Sequence, residues 1–227
     1  MLDFIFITSI FRKWITNNPF TRLIAPNYLT SRIYPYFSII WIFIPENPKK
    51  ALRNLNDILK GLGQQNFITT QEVVVNDNLK WAIQIKNAAA INPLRLSQEL
   101  QSANSRIVDI KREGNAKWNY SIDTSNSTIY KAEDMISNNR LSLKKPVKPY
   151  IIKVSNIGKI TISPSVGNSW YPNVVFYDNN FNVIEVIEKD SLHKSLRLTV
   201  PNSTKYIKID DLYTLANIRQ GINITKE

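Results

Sequence analysis

Short apolar runs separated by turn residues dominate the C-terminal half of the chain. Residues 174–177 (VVFY) lead into Asp178-Asn179-Asn180, and β-branched residues resume at 183–187, which predicts a β-hairpin. Four neighbouring segments have the same strand-like character: 150–154, 159–163, 196–200 and 206–210. The first two of these are expected to pair with each other as a second hairpin. Short strands at regular spacing predict a β-sandwich.

The segment before this region mixes helical and strand patterns. Asn47 can cap a helix that has Pro48 in its first turn and apolar residues at helical spacing, and Gly61 ends the pattern. A second helix is predicted to begin at Asn92-Pro93. Predicted strands in this segment are 72–75, 79–86, 107–110 and 118–122.

We therefore predict an α+β fold. Its parts are an apolar N-terminal segment at 1–45, a small α+β region at 46–143 and an antiparallel β-sandwich at 150–227. The boundary is placed near Leu143 because the Lys- and Pro-rich stretch 144–149 has the composition of a linker.

Two apolar segments, 2–11 and 33–44, precede the first predicted helix. As a helix the second would be about 18 Å long, against roughly 30 Å of bilayer hydrocarbon, so it is too short to span a membrane. We interpret it as an atypical export or membrane-association signal. The alternatives are a buried strand or a leader added by an upstream start codon. The basic amphipathic helix that follows either lies on lipid headgroups or packs on the rest of the domain.

Composition narrows the possible chemistry. The chain has no cysteine, which excludes disulfides and thiolate chemistry, and the single His193 excludes a zinc site built from His and Cys. The net charge of +11 is concentrated towards the N-terminus, as expected for attraction to an anionic membrane surface, although scattered Lys and Arg alone explain it as well. Interleaved basic and aromatic residues at 111–120 (KREGNAKWNY) are the best local argument for nucleic-acid binding, a partner that we consider secondary.

Motifs for catalysis are absent from the sequence. It contains no nucleophile elbow, phosphate-binding loop, dinucleotide fingerprint or zinc-binding helix. His193 lies in a predicted loop with no serine or acid at a recognisable spacing, which favours a solvated side chain over a general base. We therefore expect a protein that is not an enzyme, with no catalytic residue, no metal and no cofactor.

The C-terminal half resembles the periplasmic protein family encoded in bacterial maltose operons. The similarity covers about 60 residues and lies in four pieces: 159–163 (KITIS), 171–178 (YPNVVFYD), 196–199 (LRLT) and 205–209 (KYIKI). The resemblance implies an exported, non-catalytic, β-rich domain located in the periplasm or cell envelope. It does not extend to the N-terminal half.

Aromatic and amide residues cluster around the start of the predicted hairpin. Trp170, Tyr171, Asn173, Tyr177 and Asp178 supply rings that can stack on a sugar and polar groups that can bind its hydroxyls, so we predict that they contact a glycan. Strand alternation places Tyr171, Asn173 and Tyr177 on one face and Trp170 on the other, unless Pro172 redirects the chain. In the alternative interpretation Trp170 fills the core and Tyr171 is a corner residue. The partner is then a glycan or an envelope protein.

Overall fold

The computed structural model of the chain describes residues 36–44, 47–76, 78–87 and 89–227. The chain divides into two compact units. The described residues up to Ser125 form the first unit, except that Asn47–Asn54 belong with Asn126–Glu227 to the second. The described residues are predominantly β-structure in three sheets, with two α-helices.

The first unit contains one five-stranded sheet. Its elements are β1 (Tyr36–Ile44), β2 (Phe67–Val75), β3 (Asn78–Lys86), β4 (Arg106–Glu113), β5 (Lys117–Asp123) and the helix α2 (Pro93–Gln101). The helix α1 (Pro48–Gly61) begins among residues of the second unit and ends among those of the first. The strand order is β2-β3-β1-β5-β4, and β1 pairs antiparallel with β3 and parallel with β5. Helix α1 connects β1 to β2 along the chain, and β3 lies between these two strands in the sheet. This is a split βαβ arrangement.

Strand β1 contains most of the second apolar segment. Its described residues form the central strand of the sheet, with Ile39, Trp41 and Phe43 buried. The Trp41 ring stacks on Tyr120 of β5 with centroids 4.8 Å apart. Its backbone is paired with a strand on each side, so residues 36–44 form the buried strand of the alternative interpretation. Residues 1–35, which include the other apolar segment, lie outside the described residues.

The two predicted helices are confirmed, and asparagine caps both of them, Asn47 as predicted. The Asn47 Oδ1 accepts a hydrogen bond from the Lys50 amide at 3.1 Å, and the Asn92 Oδ1 accepts one from the Leu94 amide at 2.9 Å. The apolar face of α1 is buried at Ala51, Leu55, Ile58 and Leu59. Of the two alternatives for this helix, the burial of these side chains favours packing within the protein. None of the helices in the described ranges is long and apolar enough to cross a bilayer.

The second unit contains two sheets. Its strands are β6 (Glu133–Asp134), β7 (Arg140–Leu143), β8 (Tyr150–Lys153), β9 (Lys159–Pro164), β10 (Pro172–Tyr177), β11 (Val183–Glu188), β12 (Leu196–Thr199), β13 (Tyr206–Asp211) and β14 (Ile222–Lys226). One sheet has the order β11-β10-β13-β8-β6 and the other β12-β9-β14-β7. A single hydrophobic cluster includes Val174, Phe176 and Ile209 from the first of these sheets and Ile162 and Ile224 from the second.

The hairpin predicted at 174–187 is confirmed, since β10 pairs antiparallel with β11. The second predicted hairpin is wrong. Strand β8 pairs with β13 and β6, whereas β9 pairs with β12 and β14 in the other sheet. The boundary near Leu143 also lies too late, because β7 pairs with the C-terminal strand β14, and the second unit resumes at Asn126.

Candidate functional site

Trp170 is a core residue. Its side chain is 0% exposed and belongs to the hydrophobic cluster shared by the two sheets of the second unit. The indole Nε1 donates a hydrogen bond to the Asp210 carbonyl at 2.9 Å, so its one polar atom is satisfied inside the protein. No face of the ring can stack on a ligand. The predicted glycan contact is therefore wrong for Trp170, and the core interpretation is the correct one.

Tyr177 and Asp178 lie at the far end of β10 from Tyr171, roughly 20 Å away at the rise of an extended strand. The Tyr177 ring stacks on Phe181, with centroids 4.2 Å apart and planes 2° apart. Asp178 accepts hydrogen bonds from the Asn182 amide at 2.8 Å and from the Asn182 side chain at 3.0 Å. Burial alone would raise the pKa of Asp178, but these hydrogen bonds and nearby Lys49 lower it. Both residues hold the hairpin turn and do not share a surface with Tyr171.

Tyr171 forms a surface with a residue that the sequence did not single out, Tyr213. The two rings meet edge to face, with centroids 5.0 Å apart and an angle of 84° between their planes. The Tyr213 side chain is 61% exposed, and its hydroxyl donates a hydrogen bond to the Asp190 carboxylate. This hydrogen bond is the main cause that raises the pKa of Tyr213. An exposed ring is thus held in place by a second ring and by a carboxylate.

Asp211 anchors the loop that carries Tyr213. It is 4% exposed, and its Oδ2 accepts a hydrogen bond from the Tyr171 amide at 2.8 Å. Its Oδ1 accepts hydrogen bonds from the amides of Tyr213 and Thr214, both at 3.0 Å, and from the Asn217 side chain at 2.9 Å. A carboxylate with four donors ties the start of β10 to the end of β13. The two tyrosines are therefore presented on a fixed backbone.

Asn173 lies in β10, two positions after Tyr171, and strand alternation predicts that the two side chains share a face. It pairs in register with Glu188 of β11 and Asp210 of β13. Its Oδ1 is buried and has no hydrogen-bond partner among the residues that the structure describes. We call the group formed by Tyr171, Asn173, Asp190 and Tyr213 the tyrosine surface.

Sequence reasoning missed Tyr213, Asp190 and Asp211. Of the three, Asp211 is buried. The signal was present in the segment Asp-Leu-Tyr-Thr at 211–214, because an Asp whose side chain accepts from amides two and three residues later is a recurrent turn motif. Nothing local in the sequence indicates that this turn reaches Tyr171.

The segment 111–120 has no exposed aromatic ring at Trp118 or Tyr120 to support nucleic-acid binding. Trp118 and Tyr120 are buried, so neither ring is free to stack on a base. The polar residues of this segment line an open pocket of about 290 Å³ on the sheet of the first unit. Within it Lys111 pairs with Asp109 at 3.4 Å and Lys117 pairs with Glu113, so its acidic groups are neutralised by neighbouring lysines.

No group of three or more His, Asp or Glu in the described ranges is arranged to hold a metal ion. His193 is half-exposed, and its Nδ1 lies 2.8 Å from the Ser191 carbonyl oxygen. No family model, curated protein or solved structure matches the chain.

Proposed function

We propose that the chain is a non-catalytic binding protein of the cell envelope, whose second unit is a β-sandwich that holds a glycan on the tyrosine surface. The observation that carries the proposal is the edge-to-face pair of Tyr171 and Tyr213 beside Asp190. Sugar rings stack their C–H faces on aromatic planes while carboxylates and amides accept or donate to their hydroxyls. The tyrosine surface offers both kinds of group within one loop cluster.

Two features support a sandwich architecture for the second unit. Its two sheets contribute to one hydrophobic cluster, and several strands contribute alternate residues to it, such as Val174 and Phe176 of β10. That is the way in which the inner faces of two stacked sheets form a core. The loops at one end of such a fold are a common place for ligand binding.

The proposed envelope location follows from the resemblance of the C-terminal half to the maltose-operon periplasmic family. Fractionation of cells, combined with mass spectrometry of the native N-terminus, tests it. We expect the protein in the periplasmic or membrane fraction. A protein recovered entirely from the cytoplasm, with its first residues intact, would contradict this part of the proposal.

Glycan binding can be tested with immobilised polysaccharides of different linkage: amylose, cellulose, chitin and peptidoglycan sacculi. We expect retention on at least one of them. Since stacking on one ring contributes about 1 kcal/mol, Tyr213→Ala should weaken retention about fivefold, whereas Tyr213→Phe, which keeps the ring, should remain close to wild type. Val183→Ala is the control, because Val183 is 57% exposed on β11 and lies outside the tyrosine surface.

A protein ligand is the second candidate. Strand β11 is the edge of its sheet and exposes Val183, Ile184 and Val186, which suits pairing with an extended peptide. Two results together would favour this candidate over the first. The protein would bind none of the polysaccharides, and it would capture a defined envelope protein in a way that Val186→Lys abolishes.

A further inference from the structure

The first unit has one sheet edge that is long and almost uncharged. Strand β2 ends the five-stranded sheet and pairs, among the described strands, only with β3. Of its nine residues, Glu72 alone is charged. Val74 is 54% and Val75 is 53% exposed, although both are β-branched residues that favour strand pairing.

The opposite edge of the same sheet is protected in the usual way. Five of the eight residues of β4 are charged: Arg106, Asp109, Lys111, Arg112 and Glu113. Charged side chains on an edge strand prevent it from pairing with another chain. Because β2 lacks this protection while β4 has it, β2 is the edge suited to an additional strand.

A β-bulge in β2 limits how such a strand can pair. The register with β3 shifts between Thr69 and Gln71, so residues on either side of the bulge change faces. The regular run is therefore 71–75. Residues opposite each other in an antiparallel pair must lie on the same face, so two copies of this run can pair only about a single central residue.

Two criteria decide which residue of the run 71–75 lies at the centre of the pairing: the charges that face each other and the number of residues that pair. Centring on Glu72 would place two carboxylates directly opposite each other, which is unfavourable. Centring on Val74 would leave three paired residues. Centring on Val73 pairs all five, and it places Glu72 of each copy opposite Val74 of the other.

We infer that β2 pairs with β2 of a second copy of this chain, antiparallel and centred on Val73, so that one sheet continues through both copies. The net charge of +11 repels two copies over most of their surfaces, whereas the β2 edge has one acidic and no basic side chain. A second copy can approach there without repulsion between basic side chains of the two edge strands. An isologous contact of this kind closes as a dimer.

The absence of cysteine permits a direct test. Val73→Cys in the full chain should give a reducible dimer under mild oxidation, because directly opposite Cα atoms lie about 4.5–5.5 Å apart, within the range of a disulfide. Val108→Cys is the matched control, since Val108 is 46% exposed on the charged edge strand β4. Equal cross-linking of the two variants would overturn the inference.

A pair of opposite substitutions at Val74 tests the register. Val74→Glu places like charges opposite each other twice per dimer and should weaken self-association about tenfold, measured by sedimentation over a range of concentrations. Val74→Lys removes the same apolar side chain but faces Glu72 of the second copy, so it should associate at least as well as wild type. The inference would be overturned if the wild-type chain remained monomeric at all concentrations. That result is expected if residues 1–35 of the same chain, or another protein, cover the β2 edge. Equal behaviour of the two Val74 variants would also overturn it.

Discussion

Trp170→Ala tests the assignment of Trp170 to the core. The substitution removes a fully buried indole and leaves the Asp210 carbonyl without its donor at 2.9 Å. Replacing a buried Trp by Ala costs about 3–5 kcal/mol, and a buried polar group left unpaired adds about 1 kcal/mol. We expect a loss of about 4–6 kcal/mol from the free energy of unfolding, which is a large share of the stability of a typical domain.

The assay is a urea titration followed by circular dichroism, with hydrogen exchange in peptides from β10 and β13 to assign the transition to the second unit. A loss of this size lowers the urea midpoint by about 2 M. Leu192→Ala is the control, because Leu192 is exposed in a nearby loop and its loss should change stability by less than about 0.5 kcal/mol. The core assignment would be refuted if the free energy of unfolding of Trp170→Ala lay within 1 kcal/mol of the wild-type value. Removal of a buried aromatic ring costs much more than that.

Three further predictions concern the second unit. Phe176→Ala should cost about 3–5 kcal/mol in chemical denaturation because Phe176 is buried, whereas Val186→Ala, half-exposed on β11, should cost less than about 1 kcal/mol; similar losses would contradict the register of the hairpin. The lowered pKa of Asp178 means that its contribution to stability is present above the ordinary Asp value of about 4 and is lost as the pH falls through the lower folded value. The stability difference between wild type and Asp178→Asn should therefore shrink at acid pH, and a constant difference would argue against it. Gly221→Ala should destabilise by more than about 2 kcal/mol in thermal melts, since φ is +88° and a Cβ would lie 1.9 Å from a backbone carbonyl, while Gly158→Ala, with nothing within 4 Å, serves as the control.

Local sequence patterns predicted the elements that depend on neighbouring residues alone, such as the two helices. The first helix was predicted with its cap Asn47, and the second with its start at Asn92-Pro93. Strand β1 was ambiguous because a central strand with apolar residues on both faces has no alternating pattern to distinguish it from a short signal segment. The predicted strand at 72–75 covers only the end of β2, because Thr69, Thr70 and Gln71 before it are polar and exposed, as edge positions are.

Pairing between distant strands could not be predicted in the same way. Turn residues between β8 and β9 suggested a hairpin, but the choice of sheet depends on partners 50 to 70 residues away, in β13 and β14. The candidate site depends on such a pairing too. Alternation correctly separated Tyr171 from Trp170, whereas the meeting of Tyr171 with Tyr213 depends on the alignment of β10 with β13 and on the buried Asp211.

Titration of the double variant Tyr171→Ala/Tyr213→Ala tests the central claim most directly. Wild type and variant are titrated calorimetrically with a soluble oligosaccharide of the polysaccharide that retains the wild type, and their hydrogen exchange in β10 and β13 is compared. Loss of two stacking rings predicts affinity reduced by about tenfold or more, with hydrogen exchange in β10 and β13 unchanged. Equal affinity of the two proteins, with the fold intact, would show that the tyrosine surface does not bind the glycan.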